Sequence, residues 1–166
     1  KWQAVEELEK EQKPQSAIKL VDDVLAQAKK EADTGQRLKA LLKRSVLRNR
    51  INSENKYLLI KELNELLEET KSADDKAIVN SVLALSYKNY FLEDKWNIGR
   101  RTKLENYEPE DMAEWSSNIY ENKIREHVAK SVENKSALLK VSPDKYSGII
   151  EKGEDSKEYY PTLYDF

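Results

Sequence analysis

Residues 73–92 read ADDKAIVNSVLALSYKNYFL. Ser72 stands just ahead of them and Asp75 three residues later, a Ser-x-x-Asp pattern of the kind that caps a helix N-terminus. No glycine or proline follows. At 100° per residue, Ile78, Val79, Val82, Leu83, Ala84, Leu85, Tyr87, Tyr90 and Phe91 cover nearly the whole circumference. A helix that is apolar all round must be enclosed by others. This stretch therefore predicts a central helix in an all-α fold, with Val82 and Leu85 nearly fully buried.

The flanks repeat the helical period. Upstream, Leu59, Ile60, Leu63, Leu66 and Leu67 make a one-sided helix through about Glu69, with Ser53 as its N-cap. A helix from about Thr34 to Arg50, with Gly35 breaking the chain before it, sets Leu38, Leu42, Ser45, Val46 and Asn49 on one face. Ala40 and Leu47 lie on the other, the pattern of a sandwiched helix. Val21, Val24, Leu25, Ala28 and Ala32 form a narrow stripe after Pro14, which suits a first turn. Trp2, Val5 and Leu8 carry the same period.

Downstream, residues 93–108 (EDKWNIGRRTKLENYE) lose the period and read as a long internal connection. Pro109, Glu110 and Asp111 suit a helix start, where the dipole favours acidic groups. Ser116 or Ser117 caps a long helix whose stripe of Tyr120, Ile124, Val128, Ser131, Leu138 and Leu139 holds to about Lys140. Ser142-Pro143 opens a short helix with Tyr146, Ile149 and Ile150, and Gly153 closes it. Residues 159–166 are expected to start a truncated helix at Pro161. Long helices with short joins predict antiparallel helical hairpins in a tetratricopeptide-like stack, a single domain over residues 1–166. The repeat's glycine and proline signatures are missing.

Composition narrows the function. The 166 residues carry 36% charge, a net charge of −2 and no cysteine. Such a balance gives no general attraction to nucleic acid or anionic membrane, and a disulfide, thiol nucleophile or cysteine-zinc site is excluded. No apolar run approaches the ~20 residues of a membrane span, so no membrane insertion is expected. The chain starts inside a helical pattern and stops after Pro161, Leu163, Tyr164 and Phe166, as a fragment of a larger protein does.

Candidate sites are few. His127 is the lone histidine, at the edge of an apolar stripe, without ligand-forming neighbours at i±3 or i±4. Adjacent acidic pairs such as Asp22/Asp23 and Asp74/Asp75 point about 100° apart and cannot share a proton or metal. Arg37, Arg44 and Arg48 flank one side of a core stripe and Lys39, Lys43 and Arg50 the other, which suits snorkelling side chains better than a phosphate-binding row. These features predict no catalytic residue, no metal, no cofactor and no nucleic-acid partner. The loop around Trp96, Arg100 and Arg101, with Trp115 after it, has two readings. Tryptophan beside arginine makes a binding hot spot. Alternatively, Trp96 and Trp115 plug the gap beside the central helix while an arginine bonds loop carbonyls.

The series Tyr87, Asn89-Tyr90, Trp96, Arg101-Thr102, Pro109-x-Asp111, Trp115, Ala137-Leu138-Leu139 and Pro161-Thr162-Leu163-Tyr164-Asp165-Phe166, with the opening KWQAVEELEKEQKPQSAI, resembles the N-terminal helical region of Bacteroidetes α2-macroglobulin-like proteins. The resemblance implies a multidomain extracytoplasmic parent, in the periplasm or cell envelope, with macroglobulin-type β-sandwich domains following. Relatives trap proteases through a bait region, some with a thioester that needs a cysteine this chain lacks, so no family catalytic residue transfers to it.

The resulting expectation is a non-catalytic packing or docking domain of a protease-inhibitor-type protein. Its partners would be neighbouring domains of the parent, or another protein or peptide. Trp96, Arg100, Arg101, Trp115, Tyr160, Pro161, Leu163, Tyr164 and Phe166 are the candidate contact residues. A tetratricopeptide-like peptide-binding module is the alternative.

Overall fold

Two left-handed residues organise the first three helices. The computed structural model describes residues 1–52, 57–103 and 107–166, apart from the Lys157 side chain. Helix α1 (Trp2–Lys10) and helix α2 (Pro14–Lys30) end in the same way. Gln12 has φ 57° and Ala32 φ 53°. Lys13 N–H donates to Leu8 O and Gln12 N–H to Glu9 O; Asp33 N–H donates to Ala28 O and Ala32 N–H to Lys29 O. Both are Schellman caps, which satisfy the last carbonyls of a helix and reverse the chain. The second reversal is thus made at Ala32, and the break expected at Gly35 falls instead inside the first turn of helix α3 (Thr34–Ile51). Asp33 caps α3, accepting from Gln36 N–H at 2.9 Å.

The up-down-up order of α1, α2 and α3 follows from side-chain bonds. Trp2 Nε1 donates to Gln36 Oε1 at 2.9 Å, and Lys43 Nζ to Glu9 Oε2 at 3.0 Å. Both bonds join residues 34 apart, so α1 and α3 run parallel with α2 reversed between them. Val5, Ala17, Val21, Val24, Ala40 and Leu47 form their common core. Leu38 and Leu41 are buried too, whereas Val46 is 48% exposed and Asn49 lies in solvent. The sandwich therefore closes on Leu38 and Leu41, not along Val46 and Asn49.

Helix α4 (Leu58–Glu69) buries Leu59, Ile60, Leu63 and Leu66, the expected one-sided face; its proposed cap Ser53 lies outside the described residues. The described chain divides into two compact units: Lys1–Glu65 with Leu139–Phe166, and Leu66–Leu138. In the first, a 3-10 turn (Pro143–Tyr146), capped by Ser142, buries Pro143 and Tyr146. A Cβ on Gly35 would stand 3.7 Å from the Tyr146 ring, in ordinary contact, so Tyr146 packs at the start of α3.

The second unit is built on helix α5 (Ala73–Glu93), whose cap Ser72 accepts from Asp75 N–H. Helix α7 (Ser117–Val132) packs along it, after a one-turn helix α6 (Lys95–Gly99) and a 3-10 turn (Met112–Glu114). Residues 93–108 are thus not wholly connection: Ile98 is fully buried and forms α6. Asn80 meets His127, and Phe91 meets Tyr120, so α5 and α7 are antiparallel. Leu83 is fully buried, but Val82 is half-buried and Leu85 is 56% exposed. The helix is apolar all round without being covered all round: Ser81, Leu85, Lys88, Asn89 and Leu92 form one exposed arc. In α7 the core positions are Ile119, Tyr120 and His127, while Val128 is 50% exposed. The expected continuous helix to Lys140 stops at Val132 and resumes as helix α8 (Lys135–Leu138). All regular structure among the described residues is helical.

Candidate functional site

The two tryptophan–arginine pairs of residues 96–115 do opposite things. Trp115 is 5% exposed, and its Nε1 donates to Pro109 O at 2.7 Å. Its ring stacks on Tyr87, with centroids 5.9 Å apart, and meets Tyr120 edge-on at 5.4 Å. Arg101 Nη1 donates to Trp115 O at 2.7 Å while Nη2 stands 3.5 Å from Asp94 Oδ2. Tyr120 Oη completes the brace by donating to Met112 O. These polar groups are satisfied within the fold, so Trp115 and Arg101 hold the irregular segment onto α5 and α7.

Trp96 and Arg100 are left facing water. Trp96 is 72% exposed, and the Arg100 guanidinium lies 4.6 Å over its ring. That stacking holds the guanidinium face while leaving its N–H edge open. Among the described residues Arg100 has no carboxylate partner and the Trp96 indole N–H no acceptor. The two residues line a concavity of about 740 Å³ with Leu92, Glu93, Lys95 and Gly99. Leu92 is 51% exposed, and Leu85, two turns earlier on the same arc, extends the apolar strip. Leu85, Leu92 and Lys95 were not among the candidates from sequence. The available signal was a leucine pair at i, i+7 leading straight into Trp96.

A second polar cavity of about 520 Å³ lies between the end of α4, α5 and the end of α7, lined by Lys71, Lys76, Asn80 and Lys130. Behind Asn80 sits His127, 5% exposed. Asn80 Nδ2 donates to Lys76 O at 2.8 Å, so its Oδ1 accepts from His127 Nδ1, 2.7 Å away. His127 also stacks on Tyr87 at 5.5 Å. Burial pushes its pKa below the ordinary value, against the opposing pull of Glu126. It is a neutral core histidine. Among the described residues no three His, Cys, Asp or Glu side chains gather as a metal site.

The basic side chains of α3 bind carboxylates instead of facing outward together. Lys43 and Arg50 reach Glu9 of α1 at 3.0 and 3.3 Å, and Lys39 stands over the Trp2 ring at 4.6 Å. On the other flank, Arg44 and Arg48 share Glu62 of α4 at 2.9 and 2.8 Å, and Arg44 also reaches Asp22 at 2.6 Å. The two rows seen in the sequence are two sets of interhelical ties.

The C-terminal candidates separate likewise. Helix α9 (Ser156–Tyr159) is a single turn, and residues 162–165 form a turn where a helix from Pro161 was expected. Asp165 accepts from the Thr162 hydroxyl at 2.6 Å, a local bond that competes with helix continuation. Leu163 is 8% exposed, and its N–H donates to Val141 O at 2.7 Å. Tyr164 is half-buried; Pro161, Tyr160 and Phe166 are exposed, the last two rings meeting edge-on at 6.4 Å. Among the described residues no helix is long and apolar enough to cross a membrane. Compared with family models, curated proteins and solved structures, the chain matches none of them.

Proposed function

We propose that this chain is a non-catalytic helical docking domain, whose contact face is the strip Leu85, Leu92, Trp96 and Arg100. One observation carries the reading: a tryptophan and an arginine stacked in solvent at the end of an apolar strip, beside a second such pair fully engaged by the fold. Buried interface anchors are enriched in these two residue types. The resemblance to the front end of α2-macroglobulin-like proteins supports a neighbouring domain of an extracytoplasmic, protease-inhibitor-type parent as the occupant. Hydroxyl-radical footprinting tests this. Trp96 should oxidise at least several-fold more slowly when the proposed neighbouring domain is present than in this chain alone, with exposed Val46 as reference. Equal protection factors would remove the support.

A second reading, a tetratricopeptide-like peptide binder, is favoured by the offset of 34 residues that relates α1 to α3 through two separate side-chain bonds, the period of that repeat. A peptide would then lie in the lysine-lined concavity of α5 and α7. Substituting Lys76 and Lys130 by Glu would abolish that binding and leave the Trp96 footprint unchanged.

A further inference from the structure

We infer that the Trp96 face takes an acidic peptide segment carrying a leucine or aromatic anchor; this rests on the docking reading above and specifies its partner. The apolar part of the face is Leu85, Leu92 and the Trp96 ring, a strip begun on α5 and closed by α6. Its border is cationic. Lys88 lies between the two leucines on the exposed arc, Lys95 lines the concavity, and Arg100 caps the indole. Among the described residues none of the three has an ion-pair partner. The carboxylates nearby offset them only in part. Asp94 is engaged by Arg101 at 3.5 Å and by Asn97 Nδ2 at 2.6 Å, which leaves Glu93 as the free negative charge of the border.

This arrangement sits on a protein with a net charge of −2, so the local positive border is not a general property of the surface. An incoming leucine or aromatic ring is matched by the strip, and carboxylates by the open guanidinium edge, which binds them in a two-toothed manner. Continuous phosphates fit less well, because Glu93 interrupts the cationic border and the leucines offer a backbone nothing.

The chain reports its own occupancy. Of the three tryptophans, Trp115 is buried, Trp2 is partly buried and hydrogen-bonded, and Trp96 stands in water, so a solvent-driven emission change reads residue 96. The experiment is a fluorescence titration with a capped nonapeptide of Asp and Glu bearing two leucines. Its serine-for-acid and lysine-for-acid counterparts and a thymidine oligonucleotide are run beside it. The acidic peptide should give a saturable blue shift, absent in Trp96→Phe, with Kd roughly tenfold weaker in Arg100→Gln. The lysine peptide should be weaker by roughly the same factor or more, and added salt should weaken the acidic peptide. Arg100 is exposed, and an unchanged circular-dichroism spectrum shows that its variant is folded.

Three results overturn the inference. If the serine peptide binds as tightly and Arg100→Gln changes nothing, the face is an apolar docking site without acidic preference. If no peptide shifts Trp96 while the footprint with the proposed neighbouring domain stays protected, docking stands and this partner class falls. If the oligonucleotide binds more tightly, or the chain self-associates with loss of the Trp96 signal as its concentration rises, the occupant is a nucleic acid or a second copy.

Discussion

Leu83 and Leu85 stand two positions apart on α5 and have opposite surroundings. Leu83 is fully buried and Leu85 is 56% exposed. Leu83→Ala should cost about 2–5 kcal/mol through lost transfer energy and a residual cavity. Leu85→Ala should stay within about 0.5 kcal/mol, the range of surface changes. Urea denaturation of the two variants checks both values. The sequence could place the helix but not its phase. A segment that is apolar all round has no preferred side, and the positions of α6, α7 and α8 decide which side is covered. His127 and Val128 show the same limit: the polar ring is inside, because Asn80 and Tyr87 receive it, and the valine is outside. His127 also gives a pH prediction. Its folded pKa is lowered, so the unfolded chain takes up the proton first and stability falls with acid. The loss starts as pH drops through about 6.5 and continues to the lower folded value. Thermal melts at pH 7.5 and pH 5 should show a larger drop for the wild type than for His127→Gln.

At the scale of elements, the ends of α1 and α2 carry strain that their residues do not relieve. A left-handed conformation costs a non-glycine residue about 1–2 kcal/mol, and Gln12 and Ala32 both adopt it. Ala32→Gly should therefore raise stability by about 0.5–1 kcal/mol, measured by the urea midpoint. This cap was hidden in the sequence because its usual marker, glycine, stands three residues later, inside α3. Where side-chain chemistry marks an end directly, as at Ser72 and Ser142, the boundary was legible. The ties of α3 are also unequal in depth. Glu62→Gln should cost about 1–3 kcal/mol, since it leaves Arg44 and Arg48 short of a shared charge at a largely covered position. Breaking the exposed Lys130–Glu126 pair by Lys130→Ala should cost less than about 0.5 kcal/mol. Among the candidate residues, chain order could not tell Arg100 from Arg101, adjacent and chemically identical. The turn after α6 sends one to a carbonyl and the other to solvent.

For the molecule as a whole, the grouping Lys1–Glu65 with Leu139–Phe166 was beyond pattern reading, which scores each segment against its neighbours in sequence. Leu163 is the residue where this grouping is easiest to test. Leu163→Ala should destabilise by about 2–4 kcal/mol, with a lowered Tm and faster amide exchange at Val141 and Tyr146. A silent substitution would mean that the last residues only rest on the surface. The interleaving of the two units has a consequence for synthesis. Emerging from the ribosome, residues 1–65 are complete early but lack Tyr146, Ile150 and Leu163, which belong to their unit. The contiguous Leu66–Leu138 segment has all its own residues as soon as α8 is out. At translation speeds of ~5–20 residues per second, the first-made helices wait roughly 5–20 s for the last-made ones. The order of completion thus runs from the middle of the chain outward, and a nascent chain whose residue 138 has just left the exit tunnel would present a finished second unit and an unfinished first.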